Sequence, residues 1–196
     1  MITFIKILEY CLKPAQTDTF DYLAEVTSQR LDPPTLKPEG LPINEGIVLF
    51  SPLKRAKDCI KEIKAVRYLE LPELKEIPFE LKNICAKEEW ESEKSTAVRK
   101  RFKEAFIADN LSLSREQIFF EIKHLLALVR RCEKEYENVT LISHSFRLKI
   151  IEAYLATGGE IVFKPCLIHD FIFDNEKTYE FGSGFRLSAG FGVIPL

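Results

Sequence analysis

The chain has 196 residues, 46% of them hydrophobic, and its 28 basic and 30 acidic side chains leave a formal net charge of −2. That length suits one domain with room for one insertion and a sizeable core, and the near balance of charge leaves no electrostatic footprint for nucleic acid or an anionic membrane. The five cysteines (Cys11, Cys59, Cys85, Cys132 and Cys166) are odd in number and form no C-x-x-C pair, which argues against a disulfide framework or a zinc ribbon and for a reducing compartment.

In chain order, residues 3–8 (TFIKIL) are short, apolar and β-branched, which predicts a buried first strand. The apolar run around them is too short for a signal-peptide core or a membrane span, so the reading is cytoplasmic and soluble. Residues 20–29 predict a short helix, and 31–40 (LDPPTLKPEG) a turn-rich loop, because proline fixes φ and blocks regular pairing. Residues 46–50 (GIVLF) read as a second strand running straight into a helix over 51–64, with Ser51 as N-cap and Pro52 at its first position. Residues 66–71 predict a third strand. Residues 72–113 are charged and interrupted by Pro72 and Pro78, and read as a helical insertion of modest order. Within it the basic run Arg99 to Lys103 reads as a solvated helix face.

From Ser114 a long helix follows, with Ile118, Ile122, Leu125, Leu126 and Val129 on one stripe. Residues 139–143 (VTLIS) form a strand, His144 and Ser145 a turn, and 146–159 a helix closed by two glycines. The stretch 161–194 reads as short strands with hairpin turns. Strands alternating with helices predict an α/β fold, a three-layer α/β/α sandwich on a mostly parallel sheet, forming a single domain over 1–196 with the insertion at about 72–113.

Four motifs then fall into a known order. LDPPTLKPEG is similar to a D-x-P-L-T loop with one extra residue, and SPLKRAKDC (51–59) to S-P-L-x-R-A-x-x-T with Cys59 in the threonine place. LKEIPFE (74–80) is similar to L-x-E-I-x-F-G with Glu80 for glycine, and LISHS (141–145) to V-x-S-H-G with Ser145 for glycine. Together they resemble the histidine phosphatase (phosphoglycerate mutase-like) superfamily over about residues 1–175. The S-P-L-x-R-A stretch is the most specific, and the combined order carries the weight.

The resemblance implies a phosphoryl-transfer site. In that family a histidine after the first strand, in an R-H-G motif, attacks phosphorus and is transiently phosphorylated. Two arginines and a second histidine stabilise charge on the equatorial oxygens, and a carboxylic acid protonates the leaving oxygen. Carried over residue by residue, Arg55 matches the second, phosphate-binding arginine, His144 the second histidine, with both catalytic and phosphate-binding roles, and Glu76 the acid. The R-H-G motif has no counterpart: Glu9, Tyr10 and Cys11 stand there, and no histidine precedes His124.

This departure carries physical weight. An ionised Glu9 directed into the pocket would repel phosphate, by about 4 kcal/mol for charges about 4 Å apart at an effective dielectric of about 20; alternatively it pairs with Arg55 and closes the site. Tyr10 has an ordinary pKa of about 10 and would need activation, and Cys11 beside Glu9 is poorly placed to become a thiolate. His124, on the long helix, reads as structural, and His169, beside Asp170, has no catalytic standing without geometry. Three readings follow: a degenerate phosphatase-like protein binding a small phosphorylated or anionic ligand or a protein partner; an active phosphatase acting on a phosphate monoester by an altered mechanism through Arg55, Glu76 and His144; or a scaffold alone. Neither metal-ligand spacing nor a G-x-x-x-x-G-K loop occurs, so no cofactor is expected.

Overall fold

The computed structural model describes residues 2–6, 19–33, 46–61, 63–173, 184–187 and 193–195. In chain order they form β1 (Ile2–Lys6), α1 (Phe20–Thr27), β2 (Ile47–Phe50), α2 (Lys54–Ile60) and β3 (Arg67–Glu70). After a 3-10 turn at Pro72–Leu74 come α3 (Leu81–Ile84), α4 (Lys87–Glu93), α5 (Ser95–Ile107) and α6 (Arg115–Cys132). Then follow β4 (Val139–Ser143), α7 (Ser145–Ala156), a 3-10 turn at Glu160–Val162, α8 (Pro165–Ile168), a π-helical turn at His169–Phe173, β5 (Gly184–Leu187) and β6 (Val193–Pro195).

The strands make one sheet in the order β3-β2-β4-β1-β5-β6. β3, β2, β4 and β1 run parallel, whereas β5 is antiparallel to β1 and β6 to β5. A parallel strand with helices on both sides must be apolar on both faces, and IVLF of β2 is buried throughout. Val48 and Phe50 pack on one face with Ala56 and Cys59 of α2, Ile63 and Ile142. Ile47 and Leu49 face the other way, into a core shared with Val139, Leu141, the α6 stripe and Leu148, Ile150 and Ile151 of α7. Helix, sheet and helix thus form the three layers expected, on a largely parallel sheet.

Gly46 admits the chain to β2. A Cβ built there would lie 1.8 Å from the backbone oxygen of Asn138, so only glycine allows the approach that lets the Ile47 N–H bond that oxygen at 3.0 Å.

Three expectations are corrected. Residues 160–173 are helical rather than stranded: Gly158 and Gly159 take positive φ and end α7, Pro165 opens α8, and Ile161, Ile168 and Ile172 are all buried in the main core. Their spacings of seven and four residues are helical, and the short apolar runs concealed that period. The hairpin turns expected near residues 174–183 and 188–192 lie outside the described residues.

The second correction concerns α2. It begins at Lys54 after Leu53, not at Ser51, because the Ser51 hydroxyl is engaged by His144 at 2.9 Å and accepts the Leu53 N–H at 3.3 Å. Third, the 72–113 segment is well packed. Phe20 and Ala24 of α1 join Leu81, Cys85, Trp90 and Ala97 in a separate small core, with the Phe20 and Trp90 rings 5.7 Å apart.

The long helix forms as its sequence directs. The Ser114 hydroxyl accepts the Gln117 N–H at 3.2 Å, and the Gln117 side chain accepts the Ser114 N–H at 3.0 Å, a reciprocal cap. All five stripe residues are buried. In urea denaturation, Leu125→Ala is expected to cost about 2–5 kcal/mol by opening a cavity. Ser114→Ala, which removes only the cap, should cost about 1 kcal/mol.

Candidate functional site

The site lies at the carboxyl ends of the parallel strands, where open parallel sheets place their ligands. β2 ends at Phe50 and continues its ladder one residue further, the Ser51 N–H bonding the Ile142 oxygen at 3.1 Å. β4 ends at Ser143, whose hydroxyl donates to the Leu74 oxygen at 2.8 Å, and His144 then serves as N-cap of α7. These two strand ends bring Ser51 and His144 together, and the first turn of α2 adds Arg55.

Arg55 and His144 are 5% and 4% exposed. The Arg55 Nε donates to His144 Nδ1 at 3.0 Å. A guanidinium has no acceptor, so Nδ1 must carry the lone pair and Nε2 the proton. Nε2 lies 2.9 Å from the Ser51 Oγ and donates to it. Burial pushes the His144 pKa well below the usual histidine value, and the Arg55 and Arg147 charges push it further in the same direction. The ring is therefore neutral and has a single assigned tautomer.

That tautomer limits the chemistry. In a serine–histidine pair acting as nucleophile and base, the third group accepts from the histidine and leaves the lone pair facing the serine. Here the third group is a cation that donates, so the lone pair faces Arg55 and the N–H faces Ser51. Ser51 is not activated by this arrangement, and neither ring nitrogen presents a lone pair to a reacting phosphorus.

Asp32, in the DPP loop, completes the group. One carboxylate oxygen lies 3.3 Å from an Arg55 terminal nitrogen, and the other accepts the first backbone N–H of α2, from Lys54. The loop is thereby tied to the helix start by an ion pair and a charge-assisted bond.

Glu76 occupies a different position, at the N-terminus of α7. Its carboxylate accepts the Arg147 N–H at 3.1 Å, the Phe146 N–H at 3.3 Å and the Ile77 N–H at 3.1 Å. A carboxylate on the amides of a helix start answers both the orphan donors and the helix dipole. Arg147, 1% exposed, follows in the same turn. Its Nε donates to the Lys75 oxygen at 2.8 Å and a terminal nitrogen lies 2.9 Å from Glu121 of α6, while burial lowers its pKa from the arginine value.

Of the residues singled out in the sequence, Arg55 and His144 are in direct contact, and Glu76 joins the same region through the backbone of α7. His124 is exposed and 2.7 Å from Glu73, and His169 is exposed at the start of the π-helical turn. Glu9, Tyr10 and Cys11 lie outside the described residues. Sequence reading missed three members. Asp32 was visible as the first residue of the D-x-P-L-T-like loop but without a site role, Ser51 was assigned to capping, and Arg147 carries no signal beyond its place three residues after His144.

This fold, with the motif-bearing turns at the strand ends, has counterparts among solved structures. Two solved bacterial structures share it. One, provisionally assigned as an alpha-ribazole-5'-P phosphatase from Escherichia coli K-12, aligns at a TM-score of 0.55 and 14% identity, covering 100% of this chain and 96% of that one. The alpha-ribazole phosphatase from Shigella flexneri aligns at 0.53 and 12%, covering 100% and 94%. The sequence matches no protein-family model and no curated protein. At such identity the likeness is one of fold, and the side chains must carry any functional argument.

The buried neutral histidine predicts a pH dependence. Below the ordinary histidine pKa of about 6.5 the unfolded chain takes up a proton that folded His144 does not, so stability falls as pH drops. The slope contributed by this group is up to about 1.4 kcal/mol per pH unit, continuing down to its depressed folded value. Urea denaturation from about pH 7.5 to about pH 5 should show this slope reduced by about one proton in His144→Gln. Nitrogen NMR should place the ring proton on Nε2.

Proposed function

We propose that the protein is a histidine phosphatase-like protein that has lost phosphoryl transfer and retains, at Arg55 and His144, a pocket for a small anion or a partner. One observation carries this reading. The chain has three histidines, the first of them His124, so the segment after β1, where the family's nucleophile would stand, offers Glu9-Tyr10-Cys11 instead. The contacts of His144 support it, because both ring nitrogens are engaged by Arg55 and Ser51 and neither can substitute as nucleophile without rearrangement. Glu76 supports it too, since a carboxylate serving three backbone N–H groups is occupied as a helix cap rather than poised to donate a proton.

A second reading, an active phosphatase using Arg55, Glu76 and His144 on a phosphate monoester, draws on the close Arg55–His144 pair and on the structural neighbours, whose names point to an organic phosphate substrate. It would require His144 to release Arg55. We place the chain in the cytoplasm on its cysteine usage, with Cys59, Cys85 and Cys132 buried free thiols and Cys166 an exposed one. Among the described residues no helix is long and apolar enough to cross a membrane.

The test has two arms. A panel of phosphate monoesters should give no turnover above the uncatalysed rate, and turnover abolished by His144→Ala would overturn the proposal. Vanadate or phosphate titrated into the protein should raise its thermal stability, by about 2.7 kcal/mol at about a hundred times Kd. Arg55→Ala should remove that gain.

A further inference from the structure

The basic run in the insertion does not form one solvated face. Arg101 turns to Glu89 at 2.9 Å and Glu104 at 2.9 Å, two bonds that raise its pKa. Its neighbours Arg99, Lys100 and Lys103 instead line a cleft of about 700 Å³ between α5 and α7, which also takes in Lys149 from α7. Four cations therefore border one cavity, and no carboxylate among the described residues lines it.

Its apolar wall is aromatic. Phe102 of α5 meets Phe146 of α7 edge-on at 4.6 Å, and Phe146 lies 5.7 Å from Phe173 of the π-helical turn. The Lys103 ammonium stands 5.7 Å from the Phe173 ring centroid, so charge and ring already adjoin. Lys149 is partly buried, and burial followed by the Arg99 charge pulls its pKa down, with Glu152 offsetting only part. The Arg99 charge beside the half-buried Lys149 is an unfavourable pairing that a bound anion would ease. The volume is that of a small-molecule site, and a few polar groups over apolar walls are the usual lining of one.

We propose that this cleft binds an organic anion with a flat apolar body, its phosphate or carboxylate head among Arg99, Lys100, Lys103 and Lys149 and its ring against Phe102, Phe146 and Phe173. Ser145, the residue after His144, is also on its wall, so the cleft reaches the N-terminus of α7, but neither Arg55 nor His144 lines it. The inference stands independently of whether phosphoryl transfer has been lost.

The test is calorimetric titration of the full chain with 1-naphthyl phosphate, 1-naphthoate, inorganic phosphate and 1-naphthol, at low and high salt. Expected is saturable, salt-sensitive binding of naphthyl phosphate about tenfold or more tighter than of inorganic phosphate or naphthol. Comparable binding of naphthoate assigns the site to carboxylates and phosphates alike, and binding of the ester only assigns it to phosphates. Lys103→Gln with Lys149→Gln should weaken binding about tenfold. Arg99→Gln with Lys100→Gln, at exposed positions where folding is not at risk, should weaken it severalfold, and Arg55→Ala should leave it unchanged. Binding lost in Arg55→Ala but kept in both cleft variants would overturn the proposal, as would no saturable binding at millimolar ligand. Loss of vanadate binding alone would bear on the Arg55–His144 pocket and not on the cleft.

Discussion

Two guanidinium groups lie almost wholly buried at the carboxyl edge of one sheet, and the surrounding structure meets most of their donors, one terminal nitrogen of Arg147 staying buried without a hydrogen bond among the described residues. Arg55 and Arg147 are 5% and 1% exposed. A buried charge without partners costs several kcal/mol or more, so each must find acceptors within the chain. Arg55 takes Asp32 and the lone pair of His144; Arg147 takes the Lys75 oxygen and Glu121. The acceptors come from the loop after α1, the end of β4, the segment after β3 and α6. Neutralising two side chains therefore ties four parts of the chain to the strand ends.

The same demand sets the state of the histidine. Beside Arg55, and with Arg147 near, a second positive charge is disfavoured, and a neutral imidazole that accepts from the guanidinium is the stable form. That form suits a positioning or ligand-binding residue better than a base. A phosphoryl group reaching this edge would meet a His144 N–H already given to Ser51 and a guanidinium already engaged by Asp32. The proposed recognition without turnover would draw on the same physics that stabilises the fold at this edge.

Much of this was legible in sequence, and the reasons differ by element. IVLF and VTLIS are continuous apolar runs, and only a sheet covered on both faces accommodates them, so β2 and β4 were plain. The Ser114 cap and the α6 stripe are local signals that tertiary packing reinforces. Residues 160–173 were misread because short apolar runs carry no clear period, and the core decided between strand and helix. Arg55 and His144 were visible through motif order. Ser51 was assigned to the local task its residue type favours, helix capping, and a long-range partner 93 residues away claimed its hydroxyl instead. Asp32 was hidden for a similar reason: its bond to the α2 start spans 22 residues and leaves no periodic trace.

Glu76 has one further consequence, for the field of the site. A free helix N-terminus draws anions through its exposed amides and its dipole. On α7 the amides of Phe146 and Arg147 are already taken by the protein's own carboxylate, and Asp32 stands on Arg55 in the same way. An oxyanion reaching these groups would therefore come as a competitor, trading places with a side chain rather than with water and mobile counter-ions. Association by exchange conserves charge within the pocket, so its free energy would vary little with ionic strength. What it would change is the position of the displaced carboxylate, while the segment leading into the helical insertion stays held through the backbone oxygens of Leu74, Lys75 and Glu76.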